Sequence, residues 1–216
     1  MKKLLTALLA LTLLCACALA ETVPEESAFV PTDSRTLVAC FSATGNTWPL
    51  AEAAAAYLNA DLFRIEPAEP YTDADLNYSD SNCRANREME DEACRPALAA
   101  AVENMEQYDT VLLGFPIWWG QAPRIVETFV ENHDFAGKTV LCFCTSGSSG
   151  YGSSGEILSA LADESAVWLE ERRFAAGTSA EEMEKWLQEM EHRALCGGRM
   201  RRKQPWQSSR PRAATR

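Results

Sequence analysis

Histidine is scarce in this 216-residue chain: His133 and His192 stand alone, without ligand spacing to another histidine or to a cysteine pair, so no metal centre is expected. No Gly-x-x-x-x-Gly-Lys-Ser/Thr stretch occurs, and without its lysine ATP or GTP chemistry is not expected. A phosphotyrosine phosphatase loop is excluded as well, because the residue six after Cys40 is Asn46 and not arginine. Long apolar runs are also lacking. The run from Leu4 to Leu14 falls short of the ~20 residues that an ordinary membrane span needs. No internal repeat is evident.

Basic residues are rare in the body of the chain. Residues 21–192 hold 31 acids against 10 bases, a net of −21, whereas the whole chain is −11 because Lys2, Lys3 and eight Lys or Arg in 193–216 stand apart. A body of this charge repels nucleic acid and anionic membrane and attracts a partner with a basic face, and it also keeps a small protein soluble. Met1-Lys2-Lys3 followed by Leu4 to Leu14 has the charged and apolar regions of an export signal. Cleavage after Ala18-Leu19-Ala20 would free Glu21. Leu14-Cys15-Ala16-Cys17 instead resembles a bacterial lipobox, which would leave a lipidated Cys17 as a membrane tether. The expected product is exported, either anchored on the extracytoplasmic side or secreted, and is cytoplasmic if the signal is not used. The expected organisation is a signal over 1–20, a linker over 21–34, one domain over 35–191 and a basic, disordered tail over 192–216.

The eight cysteines do not form an obvious disulfide framework. Cys15 and Cys17 belong to the signal, and Cys40, Cys142 and Cys144 lie in strand-like runs where a thiol is usually a small core residue. Only Cys83 and Cys94 are placed where a bridge could form.

Along the domain, Leu37 to Phe41 is an apolar strand, and Leu50, Ala54, Tyr57 and Leu58 recur at helical spacing after Trp48-Pro49. Asp61 to Glu66 alternates as a strand, stopped by Pro67 and Pro70. Residues 71–82 are polar loop, followed by a helical turn or two up to Glu92. Pro96 is expected to start a helix with Leu98, Ala101, Val102 and Met105 on its inner face. Thr110–Phe115 is a continuous apolar strand of the kind covered on both faces. Ile125, Val126, Phe129 and Val130 mark a further helix, and Lys138–Cys144 a fourth strand. Ser153 with Glu156, and Ser179 with Glu182, have capping-box spacing before two more helices, with Ala166–Leu169 a short fifth strand between them. Strands alternating with helices predict an α/β fold with a parallel sheet, and ligands beyond the carboxyl ends of its strands.

Three loops leave those ends. The first is Ser42, Ala43, Thr44, Gly45, Asn46 and Thr47, between strand and helix. A helix start suits an anion, because its first amides have no intrahelical acceptor and the macrodipole places positive charge there. The hydroxyls and the Asn46 amide add donors without any Lys or Arg. The second loop is Pro116, Ile117, Trp118, Trp119 and Gly120, with two tryptophans where a core would not require them. The third is Thr145, Ser146, Gly147, Ser148, Ser149, Gly150 and Tyr151, rich in hydroxyls and backbone donors.

Ser42-Ala43-Thr44-Gly45-Asn46-Thr47 matches at every defined position the Ser/Thr-x-Thr-Gly-x-Thr phosphate loop of the flavodoxin family, which the chain resembles over roughly residues 35–191. Asn77-Tyr78, Arg84-Ala85-Asn86-Arg87-Glu88 and Gly114-Phe115-Pro116-Ile117-Trp118-Trp119 look like the flavodoxin-like proteins of anaerobic bacteria. The resemblance implies a doubly wound, five-stranded parallel sheet in the order 2-1-3-4-5 with helices on both faces, and FMN held by the three loops. Trp118 or Trp119 would stack on the flavin ring, with about 0.5–1.5 kcal/mol beyond area burial. Seating the third strand between Cys40 and Cys142 keeps them from pairing. The export signal, the basic tail and Trp48 at a helix start depart from a cytoplasmic flavodoxin. A phosphoacceptor receiver shares this fold, but it needs acids where the chain has Phe41-Ser42 and Gly114-Phe115. Three uses of the flavin follow: an electron carrier docking a basic redox partner, an NAD(P)H:quinone-type reductase, or a binding module without turnover. No separate dinucleotide-binding domain is expected.

Overall fold

The computed structural model describes residues 35–169 and 171–195, so the signal, the linker and residues 196–216 lie outside the described residues. Strands β1 (Thr36–Phe41), β2 (Asp61–Ile65), β3 (Thr110–Pro116), β4 (Thr139–Ser146) and β5 (Val167–Trp168) form a parallel sheet in the order β2-β1-β3-β4-β5. β1 is buried along its whole length, as a continuous apolar run requires when both faces are covered. Successive residues serve opposite faces. Leu37, Ala39 and Phe41 pack with Ile125, Phe129 and Leu158, from helices α3 (Arg124–Glu131) and α4 (Ser154–Leu161). Val38 and Cys40 pack with Leu50 and Ala54 of α1 (Trp48–Leu58), and with Met183, Trp186 and Leu187 of α5 (Ala180–Leu195). The short α2 (Arg84–Glu90) joins the first of these faces through Ala85 and Met89.

Five expectations are corrected. The segment after Pro96 is not a helix. Its backbone is drawn to the end of β2, with Ala99 N donating to Glu66 O (2.8 Å) and Ala68 N to Ala97 O (2.8 Å) across a Pro67–Leu98 bridge. Leu98 and Val102 still reach the core, and Met105 starts only a 3-10 turn, Met105–Gln107. The fifth strand is broken: β5 pairs with Thr139–Val140, and a sixth strand, β6 (Arg172–Ala175), pairs parallel with Phe143–Ser146. The capping box expected at Ser153 does not form, because Ser153 makes no side-chain cap. Ser179 bonds Glu181 and holds its carboxyl below the usual carboxylate range. Helix α5 runs to Leu195, past the boundary expected at 191. Cys83 and Cys94 are both free, and the Cys83 sulfur caps α2 by accepting from Asn86 N (3.4 Å). Cys40 and Cys142 form no disulfide, as expected of thiols on strands separated by β3.

Candidate functional site

A cleft of about 480 Å³ opens at the carboxyl ends of β1, β3 and β4. Its first rim is the loop before α1, where adjacent residues divide into two roles. Ser42 is buried and its Oγ accepts from Thr47 N (3.1 Å) and Trp48 N (3.2 Å), satisfying two of the first amides of the helix. Thr47 is fully buried and its hydroxyl bonds that of Thr145 (2.7 Å), tying this loop to the end of β4. Ala43 packs against the core. Thr44, Gly45 and Asn46 remain exposed, and Thr44 and Asn46 line the cleft. Gly45 has φ +83°, a conformation that any larger residue would resist. Asn46 Nδ2 donates to Thr44 Oγ1 (3.0 Å), and among the described residues nothing accepts from the backbone amides of Thr44, Gly45 and Asn46. Three consecutive uncommitted amides around a positive-φ glycine form a concavity suited to an anion. Trp48, unexpected at a helix start, lies under the Arg64 guanidinium at 4.6 Å.

The second rim is a tight hairpin. Trp118 N donates to Gln121 O (2.9 Å) and Gln121 N to Trp118 O (3.0 Å), with Trp119 (φ 49°) and Gly120 (φ 80°) at the two central positions. Positive φ at both marks a type I′ turn, where Asn-Gly is usual and a tryptophan is strained. The two indoles therefore part company. Trp118 is 5% exposed and packs edge-on against Phe41 (5.6 Å), Tyr71 (5.5 Å) and Tyr78 (6.0 Å), whereas Trp119 is 59% exposed at the tip. Both line the cleft, as do Pro116 and Ile117; Gly120 does not.

The third rim supplies Thr145, Ser146, Gly147 and Ser149. Its shape is set from inside and from β6: Ser146 Oγ donates to Ser149 O (2.6 Å), and Arg173 Nη2 donates to the carbonyls of Ser146 (2.9 Å) and Gly147 (3.2 Å). Ser148, Gly150 and Tyr151 do not line the cleft, and Tyr151 turns back onto Phe115 (5.8 Å). Gly150, Gly152 and Gly155 have Gly-x-Gly-x-x-Gly spacing after a strand, but the second of them serves packing between loops. A Cβ on Gly152 (φ +63°) would lie 1.7 Å from Gly120 O, so this glycine lets the second and third rims touch.

Two lining residues lie outside the three loops, Tyr78, whose Asn77-Tyr78 pair carries resemblance but no expected site role, and Ala176. Ala176 follows β6, the strand that the sequence pattern hides, and Tyr78 comes from the polar loop before α2. Burial pushes the Tyr78 hydroxyl up to about 12, so it stays protonated near neutrality. No carboxylate, histidine, cysteine, lysine or arginine lines the cleft among the described residues. The cleft can hold an anion at one rim and a flat apolar ring against another, and the side chains it presents to them are neutral hydroxyls, an amide, indoles and one phenol.

Residues 35–190 match the family model described as flavodoxin. A solved structure from Bacteroides eggerthii, described as a candidate flavoprotein, is 42% identical, with 73% of this chain and 98% of that chain covered and a TM-score of 0.66. One from Bacteroides uniformis with the same description is also 42% identical, covering 72% of this chain and 98% of that one, with a TM-score of 0.68. A Lactobacillus acidophilus flavoprotein in complex with FMN is 22% identical, covers 71% and 99% of the two chains, and has a TM-score of 0.55. No curated protein matches.

Proposed function

The chain belongs to the flavodoxin family, and from that premise we propose that it binds FMN in the cleft and serves as an electron carrier. The observation that carries this reading is the chemistry of the cleft: uncommitted amides and neutral donors at one rim, an exposed indole at another, and no ionisable group except the phenol of Tyr78. The residues fit the cofactor. The amides of Thr44, Gly45 and Asn46, with the Thr44 hydroxyl, would hold the phosphate. Trp119 would cover the ring, and Ser146, Gly147 and Ser149 would meet its polar edge.

Bound FMN supplies the electron-accepting chemistry, and the protein positions it and sets its potential. Among the described residues no lysine, arginine or histidine lines the cleft, and Arg173 behind the third rim is committed to two carbonyls. Negative charge added to a bound group is therefore weakly compensated, and a body of net −21 disfavours it further. That lowers the second one-electron potential relative to the first, as suits a carrier. The same absence weakens the case for a nicotinamide nucleotide, whose phosphates would meet no cation. A redox partner with a basic face fits the acidic body. Export, with a tether through lipidated Cys17, is a proposal that rests on the sequence of residues 1–20. A potentiometric titration of the FMN-loaded protein tests the carrier role: two well-separated one-electron steps are expected. Concerted two-electron reduction with rapid NADPH:quinone turnover would replace it with the reductase reading.

A further inference from the structure

A second cleft, about 450 Å³, adjoins the first and shares two walls with it, Tyr78 and Trp119. These are two of the three large apolar side chains exposed among the described residues, at 41% and 59%. Two aromatic side chains left open at one cavity favour a flat ligand. The rest of the wall is a set of acceptors. Asn86 is 5% exposed, and its Nδ2 donates to Asp80 O (2.7 Å) and Tyr78 O (3.4 Å), which fixes the orientation of the amide. Its Oδ1 is then a buried acceptor with no donor in the structure, a situation that native proteins rarely leave unresolved. Glu90, exposed at the end of α2, adds the one charged side chain of the lining, and no lysine, arginine or histidine accompanies it. Ser79 and Ser81 add hydroxyls, and Met89 a polarizable thioether suited to aromatic contact.

We propose that this second cleft binds a planar aromatic molecule that carries hydrogen-bond donors and no negative charge. Its rings lie against Tyr78 and Trp119, its N–H or O–H groups donate to Glu90 and the Ser79 and Ser81 hydroxyls, and an anion of the same size is rejected by Glu90. The assignment goes beyond the FMN reading and does not depend on it. Proflavine, a planar cation with two amino groups, is the probe, titrated by fluorescence into the full chain with and without saturating FMN. The expected result is one saturable class of binding that survives FMN. Glu90→Lys, at an exposed position, should weaken it at least 10-fold. Glu92→Lys, an equal charge change outside the cleft, should leave it unchanged, and anthraquinone-2-sulfonate should not bind the FMN-saturated protein. Loss of proflavine binding on FMN saturation, or equal effects of the two lysine substitutions, overturns the proposal. Failure of the chain to bind FMN would count against the first cleft alone.

Discussion

On the α1 rim of the first cleft the buried residues are polar, and on the hairpin rim they are aromatic. Ser42 and Thr47 turn inward and use their hydroxyls to close the loop, leaving Thr44 and Asn46 outside. Across the cleft, Trp118 is locked edge-on into three other rings and Trp119 is held out at a positive φ. In both places one neighbour builds the loop so that the other can face a ligand. Substitutions within each pair should therefore separate stability from binding.

The largest contrast lies in the tryptophans. Trp118→Ala removes a buried indole and should cost about 3–5 kcal/mol. Trp119→Gly should cost nothing, or gain about 1 kcal/mol by relieving the left-handed backbone, while FMN affinity falls. Urea denaturation alongside FMN titration checks both, and a large stability loss at Trp119 would break the comparison.

Where the second and third loops meet, Gly152→Ala should cost about 2 kcal/mol, because a methyl group enters the space of Gly120 O at an unfavourable φ. A thermal shift smaller than that of a surface control such as Ser153→Ala would contradict the contact.

The smallest effect belongs to the first rim. Thr47→Val breaks the bond to Thr145 and should cost about 1 kcal/mol. Thr44→Val should leave stability unchanged and weaken FMN alone. Equal effects at the two threonines would erase the division of roles.

Much of this was legible in the sequence because the signals are local. Apolar runs such as Thr110–Phe115 become parallel strands, and the strand-loop-helix pattern around Gly45 places the first rim. What the pattern missed depends on distant partners. Leu98, Val102 and Met105 have helical spacing, but a sheet edge nearby offers Glu66 O to Ala99 N, and Val102 N finds His133 Nε2 (2.9 Å). β6 carries little periodicity over Arg172–Ala175 and is held by its ladder to β4. Without β6, neither Ala176 nor the Arg173 clamp on the third loop could be foreseen. The adjacent tryptophans are identical as letters, and only the hairpin hydrogen bonds show which of them faces out. Tyr78 sits in a segment without periodicity, so its place in the wall follows from the packing of the loop before α2.

The most direct test of the central claim is isothermal calorimetry of FMN against the folded apo chain. One molecule should bind per chain, with affinity reduced at least 10-fold by Asn46→Ala combined with Thr44→Val and unchanged circular dichroism. A folded chain that takes up no FMN, or one whose affinity is indifferent to those two residues, would contradict the assignment of the cleft.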